Sequence, residues 1–354
     1  MRYIFSDVLE GKIQQEAVDQ QIEAAIKDNW DRVSKPINGF GVFERLYARI
    51  GAVQGTTKPD LDNIRLLVCC GDHGVVEEGV SQTDQSVTRT CAMNIGRKLT
   101  TAGVMAKSLN IEVWSVDVGI NYEGAVPDTI YKRVKNGTNN FLKEAAMSTE
   151  EFQSAVQVGM DLVKESKEQG IKLLLVGEMG IGNTTSAAVM TGYLLGMEAE
   201  SVTGRGAGLD DTGLGKKRSV VKKALSMYQE LSASEVMTRF GGLELAAMTG
   251  IVIGGALYHV PVVLDGMLSM ISALVADRIL PGARQILIPS HKSLEPATIA
   301  LSHALELEPV IDGAMALGEG TGAIMMASLL KMAGVAYNEA LKFGDSGVEQ
   351  YKRF

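Results

Sequence analysis

The sequence predicts an α/β fold organised around a parallel sheet. Three observations carry the prediction. Short apolar runs alternate with longer helical stretches along the chain. The five strand candidates each end in a polar turn. An apolar fraction of 46% in 354 residues provides for a sizeable core.

The elements follow in order. Gln14–Val33 has an amphipathic helical pattern that stops at Lys35-Pro36. Val42–Ile50 reads as a second helix, ended by Gly51. The strand candidates are Arg65–Cys70, Ile111–Val118, Lys172–Val176, Pro261–Leu264 and Gln285–Ile288. Leu245–Ala276 is almost wholly apolar, and a membrane span needs only about 20 such residues. It nevertheless contains Gly250, Gly254, Gly255, His259, Pro261, Asp265 and Gly266. It therefore reads as a buried helix, a strand ending at Leu264 and a second buried helix. Gly313–Tyr337 is predicted helical with a break at Gly318–Gly322, and the polar tail beyond Phe343 is expected to be loosely held. No solenoid repeat is present.

Charge and cysteine usage exclude several classes. The net charge is −8 and no dense Lys/Arg block occurs, which argues against nucleic-acid binding. Cys69 and Cys70 are adjacent in a strand candidate and so point to opposite faces. With Cys91 they give no disulfide framework. A reducing cytoplasm is the expected location. The opening residues, MRYIFSDVLEGKIQQEA, contain no apolar signal-peptide core.

The strand ends hold the chemistry. They carry Gly71-Asp72-His73-Gly74, Asp117 with Gly119, the GEMGIGN turn, Asp265-Gly266, and Pro289-Ser290-His291-Lys292-Ser293. Ligands of open α/β sheets bind beyond the carboxyl ends of the strands, so these turns are expected to line one pocket. The most informative segment is 177–188, GEMGIGNTTSAA. Gly177, Gly180 and Gly182 permit a sharp turn and close ligand approach. Asn183, Thr184 and Thr185 open a helix whose free N–H groups suit a phosphate. Glu178 stands in the same turn.

A second glycine-rich segment, Thr203–Lys217, brings Arg205, Lys216 and Lys217 and is expected to close over the phosphate. A plain surface loop is the alternative. Gly204-Arg205-Gly206-Ala207-Gly208 lacks the third glycine of a dinucleotide fingerprint, and no P-loop occurs. His73 and His291 lie at strand ends, where a lone histidine is usually a structural hydrogen-bonder. His259 and His303 fall in helical runs. Asp72 with His73 lacks a second ligand pair, and HExxH and CxxC motifs are missing, so no metal and no cofactor are expected. Gly344-Asp345-Ser346-Gly347 imitates a serine-hydrolase signature, but no GxSxG elbow accompanies it. Glu319, inside Gly318-Glu319-Gly320-Thr321-Gly322, is the candidate general base. Glycines bracket it between apolar helices, and burial there is expected to raise its pKa. A helix-start acid that merely complements the dipole is the alternative.

Taken together these segments resemble the nicotinate-nucleotide–dimethylbenzimidazole phosphoribosyltransferase family. The matching blocks are GDHGVVEEGVS (71–81), VDVGI (116–120), GEMGIGNTT (177–185), TGRGAGL (203–209), FGGLELAAMTG (240–250), PVVLDG (261–266), PSHKSLE (289–295) and LGEGTGA (317–323), in order over most of the chain. The resemblance implies a Rossmann-like parallel α/β domain over 41–299 and a small helical domain from 1–40 together with 300–354. It implies a homodimer, with a heterodimer of similar subunits as the variant seen in phenol-activating relatives. The implied reaction moves phosphoribose from nicotinate mononucleotide to an aromatic base such as 5,6-dimethylbenzimidazole. Nicotinate is released and an α-riboside 5'-phosphate forms for cobamide nucleotide loop assembly.

By matching positions, Glu319 is the general base, and Glu178, Gly180, Gly182, Asn183, Thr184, Arg205, Lys216 and Ser290 hold the nucleotide. Thr83, Cys91 and Leu317 line the acceptor pocket. In the 81–91 segment, Asp84 stands where many members have proline. Thr83 and Cys91 stand where members favouring dimethylbenzimidazole can have serine and glutamine. That difference leaves the preferred base open between benzimidazoles, purines and phenols such as p-cresol. A non-catalytic nucleotide-binding partner subunit is the rival class, and the retained Glu319 speaks against it.

Overall fold

The computed structural model describes residues 1–353. Its central sheet has the order β3-β2-β1-β4-β5-β6, every pairing parallel. The strands are β1 (Ile64–Gly71), β2 (Glu112–Gly119), β3 (Ile130–Tyr131), β4 (Leu173–Met179), β5 (Val262–Val263) and β6 (Leu287–Ile288). A separate parallel pair joins β7 (His291–Ser293) to β8 (Ile311–Met315). The longer helices are α1 (Gln20–Arg32), α2 (Val42–Gln54), α3 (Ser86–Gly96), α4 (Thr149–Glu168), α5 (Asn183–Leu195), α6 (Asp211–Leu225), α7 (Leu243–Tyr258), α8 (Met267–Ile279) and α9 (Thr321–Glu339).

Side chains of β1 alternate between two cores. Leu67 and Cys69 join the core that includes α4, α5, α7 and α8. Leu66, Val68 and Cys70 join the core beneath α1, α2 and α9. The three cysteines are free, and Cys69 and Cys70 are buried on opposite faces, as their adjacency requires. Leu245–Ala276 divides as the sequence predicts, into α7, β5 and α8. No helix among the described residues is long and apolar enough to cross a membrane. The strand order reverses direction between β1 and β4, where a doubly wound sheet opens a crevice at its carboxyl edge.

Several boundaries differ from expectation. The first amphipathic helix begins at Gln20, not Gln14, because the Asp19 carboxylate accepts from the N–H groups of Gln21 and Ile22 and caps it. The second does not stop at Gly51. It runs to Gln54 and ends at Gly55, with φ +70°. Gly51 is a packing residue, since a Cβ there would lie 2.1 Å from Ile26 Cδ1 of α1. Gly313–Tyr337 is not one broken helix. Ile311–Met315 is strand, Gly318, Glu319 and Gly320 all have positive φ, and helix resumes at Thr321. In 203–217, Asp210 accepts from the Gly213 N–H and starts α6, which leaves only 203–210 as loop.

Helices α1 and α9, from the two ends of the chain, pack together. Trp30, Tyr47 and Tyr337 pack ring against ring at steep angles, and Val33 bridges Lys342. Yet α2 belongs to the same cluster. Residues 2–5 lie on the opposite face, where the Phe5 N–H donates to Gln157 of α4 and the Tyr3 N–H to Tyr258 of α7. The tail is tied down rather than loose, with Arg353 Nε donating to Asp31 at 2.6 Å.

Candidate functional site

The carboxyl edge of the sheet opens into a cleft of about 1120 Å³, mouth included, lined by strand-end turns, the 205–209 loop, β7 and the 316–319 loop. Its two ends differ in charge. At one, α5 starts from Gly182, whose φ of +99° places it in the left-handed region open to glycine. No side chain caps this helix; the Asn183 and Thr185 N–H groups donate to the Gly180 and Gly182 carbonyls at 3.2 and 3.0 Å, which leaves those of Gly182 and Thr184 without a protein acceptor. Lys217 reaches in from α6, buried, and donates to Thr184 Oγ1 at 2.8 Å. Burial pushes its ammonium down to about 8, with Glu295 opposing. Arg205 pairs with Asp211 at 2.5 Å and donates to the Leu209 carbonyl, while the Gly206 N–H donates to Glu295 Oε1 at 2.9 Å.

The other end gathers carboxylates. Glu178 is not in a turn. It belongs to β4, paired opposite Cys69, and the turn begins after Met179. Asn183 Nδ2 donates to it. Burial pushes the Glu178 carboxyl up to about 8, and Asp265 adds to the shift. Asp265, at the end of β5, accepts from the N–H groups of Gly320 at 3.1 Å and Gly322 at 2.8 Å. Burial also raises its pKa, against the pull of His291, whose Nδ1 is 3.8 Å away. These bonds pin the loop that bears Glu319. The loop closes on β4 because Gly177 has no side chain; a Cβ there would lie 2.5 Å from the Glu319 carbonyl carbon. Glu319 itself is half-buried, with φ +58°. Its Oε2 is buried and has no protein partner. Burial thus lifts both Glu178 and Asp265.

The cleft collects eight of the expected residues: Glu178, Gly180, Gly182, Asn183, Thr184, Arg205, Leu317 and Glu319. Four fall outside its lining. Lys216 is exposed and its Nζ lies against Gly79. One residue on an α-helix is a rotation of about 100°, and Lys217 holds the inward position. Ser290 is buried beneath the cleft, its hydroxyl donating to the Asp265 carbonyl at 3.1 Å. Thr83 is exposed, because the segment turns outward after Ser81 and Gln82, which do line the cleft. Cys91 is half-buried on α3, its thiol pushed up by burial and then by the nearby Glu319 charge.

Sequence reasoning missed Lys217 as the inward lysine, and missed Glu295 altogether. The signal for the first was present: Leu214, Lys217, Val221 and Ala224 share one helical face.

A phosphoribosyltransferase family model matches residues 15–348. The nicotinate-nucleotide–dimethylbenzimidazole phosphoribosyltransferase of Ruminiclostridium cellulolyticum is 35% identical over 324 residues, covering 91% of this chain and 92% of that relative. The protein of the same name from Chloroflexus aggregans is 35% identical over 338 residues, covering 95% and 96%. A crystal structure of CobT from Thermus thermophilus superposes with a TM-score of 0.88 at 36% identity, covering 94% of this chain and 100% of that one.

Proposed function

This chain belongs to the nicotinate-nucleotide–dimethylbenzimidazole phosphoribosyltransferase family, and from that premise we propose that it transfers phosphoribose from nicotinate mononucleotide to 5,6-dimethylbenzimidazole, supplying an α-riboside 5'-phosphate for cobamide assembly. The observation that carries the reading is Glu319 Oε2, buried and unpartnered, in a cleft whose opposite end offers an uncapped helix start and Lys217.

The donor phosphate sits at the start of α5, between Lys217 and the 205–208 loop, where charge-assisted hydrogen bonds are strong. The nicotinate and ribose lie toward Glu178 and Asp265. The pyridinium donor, and the positive charge that grows on C1' as its bond to nicotinate loosens, favour the ionised form of these buried carboxyls. The acceptor base lies between Glu319 and Leu317. Its nitrogen lone pair forms a bond to C1', the C1'–nicotinate bond breaks, and nicotinate leaves with that electron pair. The proton on the attacking base passes to Glu319 Oε2. Attack on the face opposite the leaving group converts a β-nucleotide into an α-riboside.

The curated relatives above carry dimethylbenzimidazole in their names, which favours a benzimidazole over a phenol. Purified protein with nicotinate mononucleotide and dimethylbenzimidazole yields nicotinate and α-riboside phosphate in equal amounts, resolved by chromatography. Failure to form the riboside phosphate, or use of p-cresol in preference, overturns the reading.

A second copy of the chain covers the exposed apolar face of Met325, Met332 and Val335 on α9. Light scattering tests this homodimer. Free, buried Cys69 and Cys70 suit a reducing cytoplasm.

A further inference from the structure

Behind the start of α5 lies a sealed network that the reaction does not touch. His73 Nδ1 is 2.8 Å from Ser186 Oγ, and His73 Nε2 is 2.6 Å from Glu244 Oε1. All three side chains are fully buried. The order Ser–His–Glu imitates a hydrolase triad, but no substrate reaches Ser186.

We propose that His73 is a positioning residue: anchored on Glu244, it holds the first turn of α5 through Ser186 and so sets the N–H groups that receive the donor phosphate. This rests on the phosphoribosyl-transfer reading.

The start of α5 lacks a side-chain cap. A side chain that accepts from a first-turn N–H fixes a helix start, as Asp19 does for α1 and Asp210 for α6. Gly182 supplies no side chain; the Gly180 and Gly182 carbonyls accept from the Asn183 and Thr185 N–H groups, and the N–H groups of Gly182 and Thr184 are left for an anion. Those backbone bonds are local and do not tie the turn to the core. On the cleft side, Asn183 donates to Glu178 and Thr184 accepts from Lys217. Both partners belong to the binding surface, so they cannot serve as its fixed reference. Ser186 lies in the same turn and bonds to the interior instead.

The anchor has little slack. A Cβ on Gly242 would lie 2.3 Å from His73 Cε1, and one on Gly180 would lie 2.3 Å from the Gly71 carbonyl oxygen. The Gln85 side-chain amide donates to the His73 carbonyl at 3.0 Å. A carboxylate only accepts, so His73 Nε2 carries the proton to Glu244, and Nδ1 accepts from the Ser186 hydroxyl.

Two substitutions separate the halves of the network. An asparagine amide falls near the position of Nδ1, and a glutamine amide near that of Nε2. Ser186→Ala and His73→Gln lose the handle. They raise the donor KM about five- to tenfold while kcat and the KM for base stay within about twofold, as expected for one lost hydrogen bond acting on donor binding. His73→Asn keeps the handle but loses the Glu244 anchor, so its donor KM lies between those of wild type and Ser186→Ala, and its melting temperature falls. An unchanged donor KM in Ser186→Ala overturns the proposal. So does a parallel loss of kcat and of both KM values that follows melting temperature, because that is the mark of a merely structural role.

Inorganic phosphate titrated into wild type and Ser186→Ala by calorimetry removes the dependence on turnover. Weaker phosphate binding by the variant, in a protein that turns nothing over, sustains the positioning role and sinks the reaction. Equal phosphate binding, or none by either protein, overturns the positioning role.

Discussion

The two ends of the cleft are buried alike and charged oppositely, and the same physical cause moves their side chains in opposite directions. Burial disfavours the charged form of any group. It brings the Lys217 ammonium down to about 8 and the Glu178 carboxyl up to about 8. One end waits for a dianion that would restore the lysine charge. The other gathers carboxylates around a position where positive charge develops. The ends also differ in construction. Lys217 comes from a helix, while Glu319 comes from a loop held by the Asp265 carboxylate and by the bare backbone of Gly177.

The two ends respond most differently to a change at Glu319. Glu319→Gln lowers kcat by about 10²- to 10⁴-fold with donor binding retained, because it removes the proton acceptor and leaves the phosphate end intact. A rate assay with calorimetric donor binding decides it. At the other end, Lys217→Met lowers kcat/KM for the donor by about 10- to 100-fold with little change in the KM for base, the scale of one charge-assisted hydrogen bond. Lys216→Met stays within about twofold of wild type. Were the two lysines to exchange these outcomes, the phosphate would lie on the outer face of α6.

pH sharpens the contrast. Above about 8 the free enzyme loses the Lys217 proton, and a phosphate dianion then has to be bound by a neutral amine. The donor KM therefore rises as pH passes 8 and does so less in Lys217→Met. The smallest effect is on stability. Glu178 has its folded pKa raised from 4.5 to about 8, so between those values the folded state holds a proton that the unfolded state has released. This group's contribution to stability falls as pH rises through that window. In Glu178→Gln the melting temperature, followed by calorimetry from about pH 5 to 8, gains steadily on wild type.

Legibility in the sequence followed the physics of each segment. β1 and β4 were readable because strands covered on both faces are near-continuous apolar runs. β8, IDGAM, was not, because much of it is exposed and it lacks such a run. Gly51 was misread because a glycine demanded by a neighbouring helix looks in one dimension like a helix stop. In the site, Glu319 and the 177–185 segment were legible through glycines at unusual density. Lys217 was obscured by its neighbour, since adjacent lysines differ only in helical phase. Glu244 was hidden within an apolar helix, and its partnership with His73 spans 171 residues of chain. No local pattern encodes that contact.

The pinned 318–320 loop has a consequence for the protein as it is made. Synthesis delivers the chain from its N-terminus, and upstream units fold first. Every strand of the central sheet precedes Glu319. The sheet, the phosphate end and the Asp265 anchor can therefore assemble on the ribosome while the residue that accepts the proton is still in the exit tunnel. Because α9 also completes the core over Leu66, Val68, Leu173 and Leu175, the proton acceptor and the last layer of that core arrive together.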